Sequence, residues 1–228
     1  MSGASVNKIG KSTVPRTAIS TSDEDSITVR GEDLCRDLIG RVSFTDYFSF
    51  LLTGVRPTSG DSIVLDACLV AIADHGMVPS VQAARMTFAA APDALQGAVA
   101  AGILGCGSVI LGASETAGRL FSEIDEEAKK TGDDLRECAM RIVRSYREAG
   151  KAIPGYGHSL HKQRDPRVDR LFEVARKAAT GLRFVEIAEV VEEVIPAIVG
   201  KELKLNVSAA IPAVLLGTNF PLRALRGV

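Results

Sequence analysis

From Ser43 onward, apolar residues return about every three to four positions, and the runs are punctuated by glycine, proline and capping residues. Such spacing puts one apolar stripe on each segment, and stripes of this kind are buried by stacking helix on helix. Ser43 opens a helix to Leu52, stopped by Gly54 and Pro57, and Asp61 caps a second from Ile63 to Ala73. Pro79 and Ser80 start a third to Ala90, and Asp93 a fourth to Leu104, before the glycine-punctuated stretch Gly105–Gly112 breaks the pattern. Glu123–Asp134 reads as a solvated helix end and loop, and Asp133 begins an amphipathic helix to Ala149. Further helices start at Pro166 and near Arg183, and Val207–Leu216 makes a last, strongly apolar one. Ahead of them, residues 1–24 are polar and Ser/Thr-rich, and Ser26–Arg30 reads as a short strand leading into Gly31. Alanine-rich helices with glycines at packing points make this an all-α protein.

Charge excludes several classes of function. With 27 basic against 28 acidic side chains and no basic block, nothing draws the chain to nucleic acid or to an anionic membrane surface. The longest apolar runs, such as Ala98–Leu104, are far too short to span a bilayer. The N-terminal segment has no apolar core of the secretory type, so a cytoplasmic location is expected. Cys35, Cys68, Cys106 and Cys138 are widely separated, form no CxxC pair and read as reduced, buried thiols.

Chemistry concentrates in Ile153-Pro154-Gly155-Tyr156-Gly157-His158-Ser159-Leu160-His161-Lys162-Gln163-Arg164-Asp165-Pro166-Arg167. Gly155 and Gly157 permit backbone angles closed to other residues, so main chain can approach a ligand closely. Asp165 followed by Pro166 reads as an N-cap with proline at the first helical position. His158 and Arg167 therefore flank a helix start, where backbone donors also favour an anion. A titratable imidazole beside a fixed guanidinium suits a substrate carrying both a hydroxyl or carbonyl and a carboxylate. The bland alternatives are a loop histidine pairing with Asp165 and a surface ion pair of Arg167 with Asp165 or Asp169. His75, before Gly76 at a helix end, equally reads as a C-terminal capping histidine.

This stretch resembles the P-G-Y/F-G-H-x-x-x-x-x-x-D-P-R signature of the citrate synthase superfamily, which includes the citryl-CoA lyase module of ATP-citrate lyase. The resemblance runs from about Gly31 to the end: Asp74-His75-Gly76 is similar to the family's D-H-G/E, and Asn206-Val207 to the start of its N-V-D. Pro79–Arg85 is similar to the segment that in the family reads N-x-S-x-x-A-A-R, and Ala98–Gly107 to the helix preceding its G-P-L-H-G-G-A-N-E loop. What it implies is a large helical domain, 25–112 with 206–228, into which a small helical domain, 113–205, is inserted, after a polar segment 1–24. It further implies catalysis by His158, His75 and the position held by Ser208, and a substrate carboxylate held by His75 and Arg167. Ile153, Pro154, Gly155, Tyr156 and Gly157 would lie against coenzyme A, which enters as part of an acyl-CoA substrate beside a 2-oxo acid. No metal or redox cofactor is implied, and relatives form homodimers.

Two positions depart from the family. Ile110 stands where a histidine polarises the thioester carbonyl; lyase modules also lack that histidine, which steers away from citrate synthase. Ser208 stands where an aspartate exchanges a proton with the acetyl methyl group, and a lone serine hydroxyl is a poor base. Relatives also continue beyond the Phe220–Arg223 region with a helix carrying a substrate arginine, whereas this sequence stops at Val228. The reading is a citryl-CoA lyase, with citrate or 2-methylcitrate synthase and a catalytically weakened binder of CoA esters or dicarboxylates as alternatives. Other motifs fail. Gly10-Lys11-Ser12-Thr13 lacks the rest of a phosphate loop, Ser80 and Ser159 have no nucleophile elbow, and His158 with His161 has no third zinc ligand. Glu123, Asp125, Glu126 and Glu127 read as a solvated helix face.

Overall fold

Residues 17–74, 76–107, 112–157 and 164–228 are described by the computed structural model, which divides the chain into one unit ending at Pro57 and another running Thr58–Val228. His75, Ile110, His158, Ser159 and His161 lie outside the described residues, as does the Gly10–Thr13 segment.

In the first unit, β1 (Ser20–Ser22), β2 (Ile27–Val29) and β3 (Glu32–Asp33) form an antiparallel sheet in that order, with Thr28 opposite both Thr21 and Asp33. The β2–β3 connection is Arg30-Gly31, both at positive φ (50° and 87°), the backbone a two-residue hairpin with right-handed strand twist requires. Strand β1 was not visible in the sequence because all three of its residues are exposed, so it has no buried face to make an alternating pattern. A wide helical turn, Leu34–Leu38, leads to α1 (Phe44–Thr53). Ser43 caps α1 by accepting the Asp46 N–H at 3.1 Å, and Gly54 ends it at φ 77°, as expected. Val29, Leu38 and Phe50 make the core of this unit.

The second unit is helical throughout: α2 (Ser59–Ile72), α3 (Pro79–Ala90), α4 (Leu95–Leu104), α5 (Ala113–Thr131), α6 (Leu135–Glu148), α7 (Pro166–Lys177), α8 (Arg183–Val199) and α9 (Val207–Leu215). Several starts differ from expectation. Thr58, not Asp61, caps α2; Asp61 is the reciprocal member of a capping box, bonding back to the Thr58 N–H at 3.0 Å. Helix α4 starts two residues after Asp93, and Asp134 rather than Asp133 caps α6. The largest correction is α5, which runs unbroken through Glu123–Thr131 with Ile124, Asp125 and Ala128 on its buried face. Asp125 is not solvated: Lys129 Nζ lies at 2.6 Å and Arg183 Nε at 2.9 Å, tying α5 to the start of α8. A charged side chain on a buried face looks like solvent-exposed sequence until its partner, 58 residues on, is brought beside it.

Helix α9 is the hub. Every residue in it except Ser208 is buried, and α2, α5, α7 and α8 all pack against it. Ala209, Ala210 and Ala213 keep its surface thin, which lets four helices approach one axis. Helices α3 and α4 form a hairpin in which Gly102 admits Ala84 and Gly105 admits Ser80. Cys68 and Cys138 are buried, as expected, whereas Cys35 is exposed; none is in a disulfide. No helix of the described residues is long and apolar enough to cross a membrane.

Phe121 of α5 is 0% exposed. Phe121→Ala is expected to lower unfolding free energy by about 3–5 kcal/mol, measured by urea titration followed by circular dichroism.

Candidate functional site

The glycine-framed bend is stapled to the segment that enters α9. Gly155 and Gly157 sit at φ 83° and 84°. A side chain at Gly155 would put its Cβ 2.5 Å from the Cβ of Ala209, so only glycine fits there. Tyr156 bridges Leu205 in antiparallel fashion. The Gly157 N–H donates to the Lys204 carbonyl at 2.7 Å, and the Asn206 N–H to the Gly155 carbonyl at 3.0 Å. The Asn206 side chain joins two structures, its Nδ2 donating to the Gly157 carbonyl at 2.7 Å while its Oδ1 caps α9 through the Ser208 N–H at 2.9 Å.

Within the bend, Ile153, Gly155 and Tyr156 are buried. The Tyr156 hydroxyl donates to the Ala188 carbonyl of α8 at 2.8 Å. Burial pushes this phenol well above its ordinary pKa, helped by the nearby Glu192 carboxylate. The side chains of Ile153 and Tyr156 are thus committed to packing.

Asp165 joins the bend to the helices. Its carboxylate, fully withdrawn from solvent, accepts the Arg167 N–H and Nε at 3.0 Å and Nη2 at 2.8 Å. It also accepts the Val207 N–H at the start of α9. Burial acts to raise its pKa, but the bonds from the Arg167 side chain and main chain and from Val207 outweigh burial and hold it below the usual carboxylate value. Arg167 Nη1 donates to the Ala71 carbonyl at 3.3 Å, near the end of α2 and four residues before His75. The guanidinium therefore stands where α2 ends and α7 and α9 begin. Beside it a groove of about 470 Å³ runs between α2 and α7, floored by Ala67, Val70, Ala71, Leu171 and Val174.

Of the residues singled out in the sequence, Arg167, Ser208 and Ile153–Gly157 are brought together through Asp165 and Asn206; His75 and His158 are outside the described residues. Arg167 does pair with Asp165, the bland alternative, but with a buried partner rather than at the surface. Its Nε/Nη2 edge is already occupied by Asp165, and its Nη1 donates to Ala71. Ser208 is half-buried, second in α9. Sequence reasoning missed Arg164 and Glu192, which form a salt bridge here. Glu192 lies on the same α8 face as Ala188, Val191 and Ile195, and a carboxylate inside an apolar stripe was the available signal.

Residues 41–225 match the family described as citrate synthase, C-terminal domain. The fold is similar to that of citryl-CoA lyase from Hydrogenobacter thermophilus, with TM-score 0.82 and 36% identity over 94% of this chain and 80% of that one. It is also similar to ATP citrate lyase from Methanothrix soehngenii, solved with citrate and coenzyme A, at TM-score 0.74 and 23% identity, covering 96% of this chain and 34% of that one. A citrate synthase of Haloferax volcanii is 25% identical over 151 residues, 65% of this chain; the chain spans 38% of that relative's length.

Because the Asp165 pKa is depressed on folding, the folded chain takes up its proton less readily than the unfolded one. The resulting stabilisation is whole above the unfolded value, about 3.9, and drains as pH falls through the lower folded value. Asp165→Asn is expected to lose about 1–3 kcal/mol at pH 7 and to show a shallower fall in stability as pH drops below about 4, measured by denaturant titration at pH 7 and across that acidic range.

Proposed function

Starting from the fact that the chain belongs to the citrate synthase family, we propose that it is a citryl-CoA lyase-like enzyme. It cleaves a 3-hydroxy-3-carboxyacyl-CoA, citryl-CoA in the simplest case, into oxaloacetate and acetyl-CoA. The observation that carries this reading is the Arg167 guanidinium, fixed by a buried carboxylate where α2, α7 and α9 converge beside the glycine bend. The similarity to a citryl-CoA lyase over 94% of the chain supports the same reading.

In the cleavage direction His158 takes the hydroxyl proton while the carbon–carbon bond breaks and the hydroxyl carbon becomes a carbonyl. The electron pair of that bond passes into the thioester as an enolate. Arg167 and His75 hold carboxylates of the substrate, and main-chain donors around Gly107–Gly112 stabilise the enolate oxygen in place of the histidine that Ile110 replaces. The enolate then collects a proton, from water where Ser208 replaces the family aspartate. Main chain of Ile153–Gly157 lies against coenzyme A, and no metal takes part. In the family arrangement residues 113–205 form the small domain.

The assembly is read as a homodimer in the cytoplasm. Met86, Val99, Ile103 and Leu104 on the α3–α4 hairpin are exposed, and a second copy would cover them. Ser208 favours a second reading, a weakened homologue that binds a CoA ester or dicarboxylate without turning it over.

Incubation with citryl-CoA, with oxaloacetate detected through a coupled dehydrogenase, separates the two. Turnover is expected, and His158→Gln should lower kcat by roughly 10²–10⁴-fold; binding without turnover supports the second reading. Condensation has to begin by removing a weakly acidic methyl proton. The native protein is therefore expected to exchange the methyl protons of acetyl-CoA with deuterated solvent slowly or not at all, and Ser208→Asp to raise the rate, read by mass spectrometry with and without oxaloacetate. Rapid exchange by the native protein would assign the base elsewhere.

A further inference from the structure

Two contacts show that α2 and α7 run antiparallel. At one end Arg167 Nη1 donates to the Ala71 carbonyl at 3.3 Å. At the other, a side chain at Gly60 would put its Cβ 2.5 Å from the Ala178 carbonyl oxygen, so the backbones touch there. Between these contacts lies the groove of about 470 Å³, a volume in the range of small-molecule pockets. Its existence follows from the sequence. Ala67 and Ala71, one turn apart on α2, leave only methyl groups where longer side chains would reach Leu171 and Val174 on α7. Val70, on the same wall, is 78% exposed.

The two walls differ in charge. Arg170 lines the groove one turn after Arg167, and Asp66 lines it from the facing helix. Arg167 is committed to Asp165 and Ala71. Arg170 instead pairs with Glu173 at 2.8 Å between side chains 67% and 46% exposed, a contact worth little. Glu173 also holds Lys177 at 2.5 Å, and keeps that partner when Arg170 turns to a ligand.

We propose that this groove binds an aliphatic monocarboxylate, with the hydrocarbon chain on Ala67, Val70, Leu171 and Val174 and the carboxylate on the Arg170 guanidinium. The apolar floor accounts for the chain, because removing it from water is favourable in proportion to its area. The guanidinium accounts for the head group, which it meets through two parallel N–H···O bonds. Asp66 favours a single negative charge there, since a dianion on Arg170 would meet more repulsion across the groove. Arg167 is only an end wall here, so the inference stands whether or not the chain is a lyase.

The test is calorimetry on the full chain with hexanoate, octanoate and decanoate, each below its micelle concentration. One carboxylate per chain is expected to bind, with Kd falling roughly 3–4-fold for each added CH2. Arg170→Gln should weaken decanoate about 10-fold and leave the uncharged decanol unchanged, a split that lost structure would not produce. Ala67→Leu, which fills the groove from its floor, should weaken decanoate and decanol alike by about 10-fold or more, with a thermal midpoint no lower than the parent's. Val174→Phe fills the same space from α7 and takes over the test if Ala67→Leu lowers that midpoint. Non-saturable uptake, binding indifferent to a filled groove, or equal loss of decanoate and decanol in Arg170→Gln would each overturn the proposal. So would a second copy seated in the groove, seen as failure of decanoate to bind together with a shift from dimer to monomer on sedimentation of the filled variant.

Discussion

The carboxylate of Asp165 is the interaction on which the site depends. It is out of water, and it stays ionised because an arginine side chain and two main-chain N–H groups donate to it at once. One of those amides begins α7 and another begins α9, so a single side chain sets the relative placement of two helix starts. The guanidinium it grips touches the end of α2 as well. Three elements are thereby indexed to one charge pair, and the residues carried on their ends share one neighbourhood.

The same geometry limits the chemistry. An arginine whose better edge is filled from within is a rigid, half-neutralised cation, not a free one. The bend beside it contributes main chain, because its bulky side chains are turned into the core and its glycines allow close approach. Ser208, at the capped start of α9, adds a hydroxyl but no base of its own.

Packing around α9 explains why these parts hold still. Its alanines let α2, α5, α7 and α8 approach, and Ala209 fills the space that a side chain at position 155 would need. The bend is thus locked by a steric fit as well as by hydrogen bonds, with Asn206 serving both as the cap of α9 and as a clamp on Gly157.

Helix class and most helix starts were legible because caps, prolines and apolar periodicity are local: Ser43, Pro79 and Asp165 announce their helices within four residues. The positive-φ bend at Gly155 and Gly157 and the helix start at Asp165-Pro166 were legible for the same reason, since residue type and spacing alone mark them. Strand β1 was not, having no buried face, and neither was the buried side of α5, where Asp125 is neutralised by Arg183 from far along the chain. Glu192 reads locally as one more acidic residue on a helix, and becomes a clamp only when α8 meets Arg164 and Leu205. The sequence by itself determined the elements and the chemical groups, because propensity and capping act over one or two turns. Only the tertiary structure decided which charges are buried together, because desolvation and pairing depend on partners that the chain order keeps apart.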